Sequence, residues 1–341
     1  MSPVITPFAP ELATPDELRA WYRIAVAAPI LDLPGQPVVP YDSYAQQLCT
    51  PAANDRLFRR WDARDGGQIL GTVSAILRTD ENSELATVYA RVAPRYRRKG
   101  VGTQLLRATL PEIREQGCQW IDSDVASGTD SAQWAGSLGF RAVLRRASHH
   151  LDVKNTDPAL WQVPAAPGFR IQQWAEAAPD DLVQGFTQAR NAMADQPIGW
   201  SNYQHPTWTV ERVRQHEATD RRTGSSHRYV VAVEESSGAV AGFTEIAIPS
   251  GELSDFRQGD TAVRREFRGL GLGLAMKAAM MRRLTADHPG LERIRTMTAV
   301  ENEHMIRVNS RLGYTTDGVT DSIEVKVDAL DARLKELQPR R

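Results

Sequence analysis

The chain has 341 residues, 41% of them hydrophobic and 24% charged, with a formal net charge of −1. This length suggests two domains, and a near-neutral balance gives no bulk field to draw in nucleic acid or an anionic membrane. Two cysteines, Cys49 and Cys118, are too few for a disulfide framework and have no zinc-binding spacing.

In chain order, a short strand is expected at residues 4–8. A helical periodicity then opens at Pro15, with acidic residues in its first turn. Leu33-Pro-Gly-Gln-Pro through Pro40 is rich in breakers and reads as loop. Strands at 57–63 and 68–78 flank Arg64-Asp-Gly-Gly, a hairpin signal, and a third runs over 84–92. A helix at 101–115, a buried strand at 120–125, a helix at 131–138 and strands over 141–153 close the first half. Residues 155–167 carry three prolines and read as a linker between domains at 1–154 and 168–341.

The order then repeats. A strand at 169–174 leads to helical segments at 180–194, an aromatic and polar loop at 196–208 and a helix at 210–217. Strands at 228–234 and 240–248 are split by Glu235-Ser-Ser-Gly. A strand at 260–263, a helix at 270–285, a strand at 293–300, a helix at 303–311 and a strand at 322–327 follow. The charged helix at 329–337 reads as a solvated cap. No signal-peptide pattern opens the sequence, and no apolar run approaches the ~18 residues of a membrane span. A cytoplasmic location is expected.

The duplication is visible in one motif. Val92-Ala-Pro-Arg-Tyr-Arg-Arg-Lys-Gly-Val-Gly102 recurs, 171 residues on, as Val263-Arg-Arg-Glu-Phe-Arg-Gly-Leu-Gly-Leu-Gly273. Each copy ends an apolar strand and opens an amphipathic helix. Such a turn aims unpaired backbone N–H groups, backed by a helix dipole, at an anion, here expected to be a pyrophosphate. A dinucleotide fingerprint would need Gly or Ala where Leu105 and Met276 stand. No Gly-x-x-x-x-Gly-Lys-Ser/Thr run exists.

Arg97-x-x-Gly100-x-Gly102 and Arg268-x-x-Gly271-x-Gly273 are each followed by Leu-Gly-aromatic, at Leu138-Gly139-Phe140 and Leu312-Gly313-Tyr314. Two motifs, each present twice in register, resemble the GNAT superfamily of acyl-CoA-dependent N-acyltransferases over nearly the whole chain. The layout is similar to the tandem members known from actinobacteria. The resemblance implies an α/β (α+β) fold of two tandem domains, each a mixed, mostly antiparallel sheet flanked by helices. It implies transfer of acetyl from acetyl-CoA to the amine of a small molecule, by direct attack in a ternary complex. The preference for a small molecule rests on the near-neutral charge. A non-catalytic acyl-CoA sensor or scaffold is the alternative.

By the resemblance, Arg268, Gly269, Gly271 and Gly273 would hold the pyrophosphate. The backbone around Ala262 and Val263 would meet the pantetheine arm, and Asn302 would contact cofactor or substrate. In the first half Arg97, Gly100 and Gly102 match, but Gly128 stands at the position of Asn302. The second half is therefore expected to be catalytic and the first degenerate. The family's usual acid, a Tyr five residues before the Leu-Gly-aromatic, is replaced by Ala135 and Asn309. Asn309 could hold a water instead.

Glu245 and Asp260 are the base candidates. Glu245 reads equally as a solvent-facing strand residue, and Asp260 also as a turn or strand-start residue. Trp200, Tyr203 and His205 line an acceptor pocket on one reading and cap the core on the other. His149-His150 has no metal-ligand spacing, so no metal is expected. The chain is expected as a monomer with an internal pseudo-dimer or as a homodimer.

Overall fold

The computed structural model describes residues 3–32, 38–50, 56–248 and 254–337. The chain folds into two compact units that do not follow its halves. Unit 1 comprises Met1–Arg145, Ile198–Gln204 and Val319–Arg341; unit 2 comprises Arg146–Pro197 and His205–Gly318.

Unit 1 contains β1 (Val4–Pro7), α1 (Pro15–Asp32), α2 (Tyr41–Cys49), β2 (Arg56–Asp65), β3 (Gln68–Arg78), β4 (Leu85–Val92), α3 (Val101–Glu115), β5 (Trp120–Ala126) and α4 (Asp130–Ser137). The strands β1 to β4 form an antiparallel meander. β4 then pairs in parallel with β5, but only through Leu85, Ala86 and Thr87. The connection through α3 is the crossover that parallel pairing requires. Helix α2 has no counterpart among the sequence expectations. Its nine residues bury only Leu48, too little apolar surface to write a clear periodicity. Residues 33–37 of the expected loop lie outside the described residues.

Unit 2 takes part of β6 (Arg141–Asp152), then β7 (Phe169–Ala175), α5 (Val183–Asn191), α6 (Val210–Thr223), β8 (Ser226–Glu234), β9 (Val240–Ile248), β10 (Asp255–Val263), α7 (Leu272–Asp287), β11 (Arg293–Ala299) and α8 (Glu303–Arg311). Strands β7 to β10 repeat the antiparallel meander. β10 pairs in parallel with β11 only through Asp255, Phe256 and Arg257.

The last strand of each sheet comes from the other half of the sequence. Residues 146–152 of β6 pair antiparallel with β11 in unit 2. Residues 320–326 of β12 (Thr315–Lys326) pair with β5 in unit 1. The helix α9 (Val327–Glu336) that follows is not the solvated cap its charges suggest. Val327, Leu330 and Leu334 are buried among Leu106, Leu110 and Ile113 of α3. The proline-rich stretch at 155–167, expected as a linker, is docked on unit 2. Trp161 is 3% exposed there and its Nε1 donates to the Leu312 carbonyl at 3.1 Å.

Two core clusters fill unit 2. One lies under α7 and α8, the other under α5 around Phe186, Tyr229 and Phe243.

Leu330 is fully buried, so Leu330→Ala is expected to destabilise unit 1 by about 2–5 kcal/mol. Ending the chain at Gly318 should abolish the folding of unit 1 altogether, although the deleted residues belong to the other sequence half. Thermal unfolding with Trp120 fluorescence as probe checks both; an unchanged transition would show that α9 is the cap its charges suggest.

Candidate functional site

After Arg257 the partners of β10 change. Thr261, Ala262 and Val263 pair with β9 alone, beyond a bulge between Gln258 and Thr261. The strand thus parts from β11 and leaves one row of backbone groups without a strand partner. Gln258 stitches the bulge: its Nε2 donates to Thr244 Oγ1 at 2.8 Å and to the Glu245 carbonyl at 2.7 Å. Thr244 and Thr261 share a hydrogen bond of 2.6 Å.

The opening is one wall of a cleft of about 690 Å³. Thr261, Ala262, Val263, Arg268, Gly269, Gly271, Gly273 and Asn302 all line it. Gly269 (φ 82°) and Gly271 (φ 75°) are left-handed, and no atom lies within 4 Å of a Cβ built on either. Any other residue there would be strained and would project into open space. Gly271 caps α7 without a side chain, so the first N–H groups of the helix have no side-chain acceptor. These are the donors and the dipole end that suit a phosphate. Arg268 is anchored by Nε to the Val263 carbonyl at 3.0 Å, and its Nη2 meets Asp195 at 2.5 Å. Both side chains are about half exposed, so an incoming anion can replace Asp195 as partner. Asn302 caps α8, accepting from Met305 N at 3.1 Å.

A polar network lies on the α5 face of the sheet. Glu245, opposite Tyr229 on β8, receives Arg190 Nη1 at 2.9 Å, and both side chains are largely buried. The Arg190 guanidinium also stacks 3.7 Å from the centroid of Trp208. Gly259 makes room for this carboxylate: a Cβ there would lie 3.0 Å from Glu245 Cγ and 3.1 Å from Oε1. Asp260 sits next to it. Burial, then the nearby Glu245 charge, push the Asp260 carboxyl up to about 6, against the opposing pull of Arg190 and Arg257. Beyond the network, Asp220 holds His216 and His227, each at 3.1 Å.

Several expected residues fall elsewhere. Asn309 is 1% exposed and donates to Thr298 at 3.2 Å. It faces the core, because on α8 it is the neighbouring Val308 that lines the cleft. Its Oδ1 is buried and makes no hydrogen bond to the described residues, and Asn309 does not line the cleft. The aromatic loop divides between the units. Trp200 and Tyr203 belong to unit 1, with Trp200 89% exposed and its N–H bonded to the Val143 carbonyl. His205 belongs to unit 2 and is half-buried, which lowers its pKa. None of the three lines the cleft; Asp195, Gln196 and Pro197 just before them do. Gln196 Nε2 donates to the Thr261 carbonyl at 3.2 Å.

Arg190, Asp195 and Gln196 were not foreseen. Arg190 had a signal: it sits on the buried stripe of α5 with Val183 and Phe186, where a cation needs a buried partner. Asp195 and Gln196 had none, since their role depends on how the chain returns to β10.

Unit 1 repeats the turn. Gly100 (φ 79°) caps α3 and Arg97 Nε donates to the Val92 carbonyl at 3.3 Å. Arg98 (φ 62°) takes the left-handed position of Gly269, a strain of roughly 1–2 kcal/mol. The space differs. A Cβ on Gly102 would lie 3.1 Å from the Trp134 ring, whereas one on Gly273 meets only Val263 at 3.9 Å. The α4 cap is Thr129, accepting from Ala132 N at 3.3 Å, and not Gly128 as counting back from Phe140 suggests, because α4 is one residue shorter than α8.

Comparison with known proteins agrees with this geometry. The profile of the Acetyltransferase (GNAT) family matches residues 18–140 and 191–314. The chain belongs to the GNAT family. It is an N-acetyltransferase and its cofactor is acetyl-CoA. The mycothiol acetyltransferase of Mycobacterium avium (strain 104) is 24% identical over 241 residues, 69% of this chain and 72% of that protein. A tandem GNAT protein from the clavulanic acid biosynthesis pathway superposes with a TM-score of 0.77 at 23% identity, covering 95% of this chain and 98% of its own. A GCN5-related N-acetyltransferase from Sphaerobacter thermophilus gives 0.71 at 16% identity, over 95% and 96%. These two likenesses speak to the fold. Among the described residues no helix is long and apolar enough to cross a membrane, and no side-chain cluster suits a metal.

Two variants test the site. Gly271→Glu should abolish acetyl-CoA binding to unit 2 in calorimetry. Arg190→Met should lower stability by about 3–5 kcal/mol, since it strands the Glu245 carboxylate in a buried setting; denaturant melts that match the wild type would refute the ion-pair reading.

Proposed function

We propose that unit 2 carries the reaction and that unit 1 is a degenerate copy. In this reading unit 2 acetylates the amine of a small molecule by direct attack within a ternary complex. The observation that carries it is the pairing of an open, glycine-lined cleft with two carboxylates at the same break in the sheet. Acetyl-CoA supplies the activated acetyl group. The cleft residues Arg268, Gly269, Gly271 and Gly273 fit its pyrophosphate: open space, left-handed glycines, free helix N–H groups and one guanidinium. The backbone of Ala262 and Val263 suits amide pairing with the pantetheine arm, and Asn302 borders the same space.

An alkylammonium has a pKa of ~10 and no lone pair, so the acceptor must lose a proton before it attacks. Asp260 is the base in this reading. Its carboxyl lies near 6, close enough to neutrality to take a proton and release it. Glu245, tied to Arg190, stands beside Asp260 and raises its basicity. Trp208, packed on Arg190, holds that guanidinium in place. The near-neutral surface charge and the relationship to a mycothiol acetyltransferase favour a small acceptor over a polybasic one.

Unit 1 keeps the turn but not the carboxylates or the open space beside it. Ser74 and Tyr89 stand 171 residues before Glu245 and Asp260, and Trp134 crowds the turn at Gly102. One bound acetyl-CoA per chain is therefore expected.

Only the deprotonated Asp260 works as base. Turnover should fall as the pH drops through about 6, and the acid limb should disappear in Asp260→Asn, with kcat reduced about 10²–10⁴-fold. A pH profile of kcat/KM with a panel of small amines checks this. An unchanged limb in Asp260→Asn would pass the role to Glu245, and steady cofactor binding without thiol release for any amine would favour a sensor.

A further inference from the structure

The row of side chains that holds the carboxylates in unit 2 has a counterpart in unit 1, with the carboxylates lost and two arginines beside it. In unit 2, Tyr229 faces Glu245 across β8 and β9, and Asp260 stands beside them on β10. In unit 1, Arg60 on β2 faces Ser74 on β3, which faces Tyr89 on β4. Arg91 follows Tyr89 on the same face and lies over its ring, 5.3 Å from the centroid. Arg60 lies over Phe58 at 4.8 Å. Ser74 and Tyr89 thus stand where the other copy has Glu245 and Asp260, and guanidiniums flank them at the positions of Tyr229 and Ala262.

The face is the one that α1 and α2 cover. Asp62, two residues along β2 from Arg60, accepts from Trp21 Nε1 of α1 at 3.4 Å. Tyr44 of α2 lies within electrostatic reach of both Arg60 and Arg91. Burial lowers the pKa of both arginines, so each holds its charge in a poorly solvated place. Neighbouring arginines of the same sheet have carboxylate partners: Arg64 binds Asp62 and Glu17, and Arg78 lies 4.0 Å from Asp122. Among the described residues, Arg60 and Arg91 make no ion pair. Glu11 and Cys49 reach Arg60 only through space, and no carboxylate of the described residues acts on Arg91.

We propose that unit 1 binds a small anionic molecule, through a carboxylate or phosphoryl group held between Arg60 and Arg91, with the Tyr44 and Ser74 hydroxyls at its edge. Two half-buried cations on one face, with no ion pair among the described residues, repel each other and are poorly hydrated. A shared anion relieves both effects at once. Arg60 and Arg91 spring from strands two spacings apart and two residues out of line, about 12 Å at the backbone. That span suits one group gripped from two sides by long, planar, fork-shaped donors. The site depends on neither Asp260 nor the glycine turn, so it stands or falls separately from the reading of unit 2.

The test is calorimetry on the full chain, with malonate and inorganic phosphate as probes. Saturating coenzyme A is present to fill phosphate sites at the glycine turns. One equivalent of anion is expected to bind. Tighter malonate binding identifies a carboxylate ligand, and tighter phosphate binding a phosphoryl ligand. Arg60→Leu and Arg91→Leu should each weaken binding roughly tenfold or more and leave acetyl-CoA affinity unchanged. Ser74→Glu keeps both arginines and supplies the carboxylate found at the matching position of unit 2. It should abolish anion binding while the melting temperature holds or rises, and it decides the matter even if the arginine variants fail to fold. Absence of binding by either anion, or binding that survives all three substitutions, would overturn the proposal.

Discussion

The separation of β10 from β11 after three paired residues is the constraint around which unit 2 is arranged. A buried backbone group without a partner costs about 1–3 kcal/mol. A strand that abandons its neighbour therefore needs other partners. Here the bulge is tied down by Gln258, Thr244 and Thr261, and the Thr261 carbonyl takes the Gln196 amide. What remains open is a slot of backbone that ends at the N-terminus of α7. The slot and the glycine turn line one cleft.

The break also explains the buried charges. Asp260 stands at the bulge, where no regular strand partner crowds it, and Glu245 approaches through the space that Gly259 leaves. Two neighbouring carboxylates in a low-dielectric setting repel each other. Arg190 offsets this with a 2.9 Å ion pair and is itself held by the Trp208 ring. Burial, then the Glu245 charge beside it, push the Asp260 carboxyl up to about 6. Such a buried network is weak evidence for stability and better evidence for chemistry.

Duplication preserved the backbone and released the side chains. The glycine turns of the two units agree in cap conformation and in the Arg97 and Arg268 anchors. Backbone geometry is shared because the same strand-to-helix turn must be built twice. The faces above it are free to diverge. Trp134 packs where unit 2 has open cleft, and Arg60, Ser74 and Tyr89 replace a row that contains Glu245 and Asp260.

The sequence by itself determined the duplication, the order of strands and helices, and the turn at Arg268 to Gly273. These are local: periodicity, hairpin signals and glycines at left-handed positions act over a few neighbouring residues. The tertiary structure decided the rest. Residues 320–326 complete the sheet of unit 1, α9 is buried and Asn309 faces the core, since pairing and burial depend on segments hundreds of residues apart. It also brought Arg190 to Glu245 across 55 residues and Asp195 to Arg268 across 73. A charge in a sequence has no partner until the chain folds.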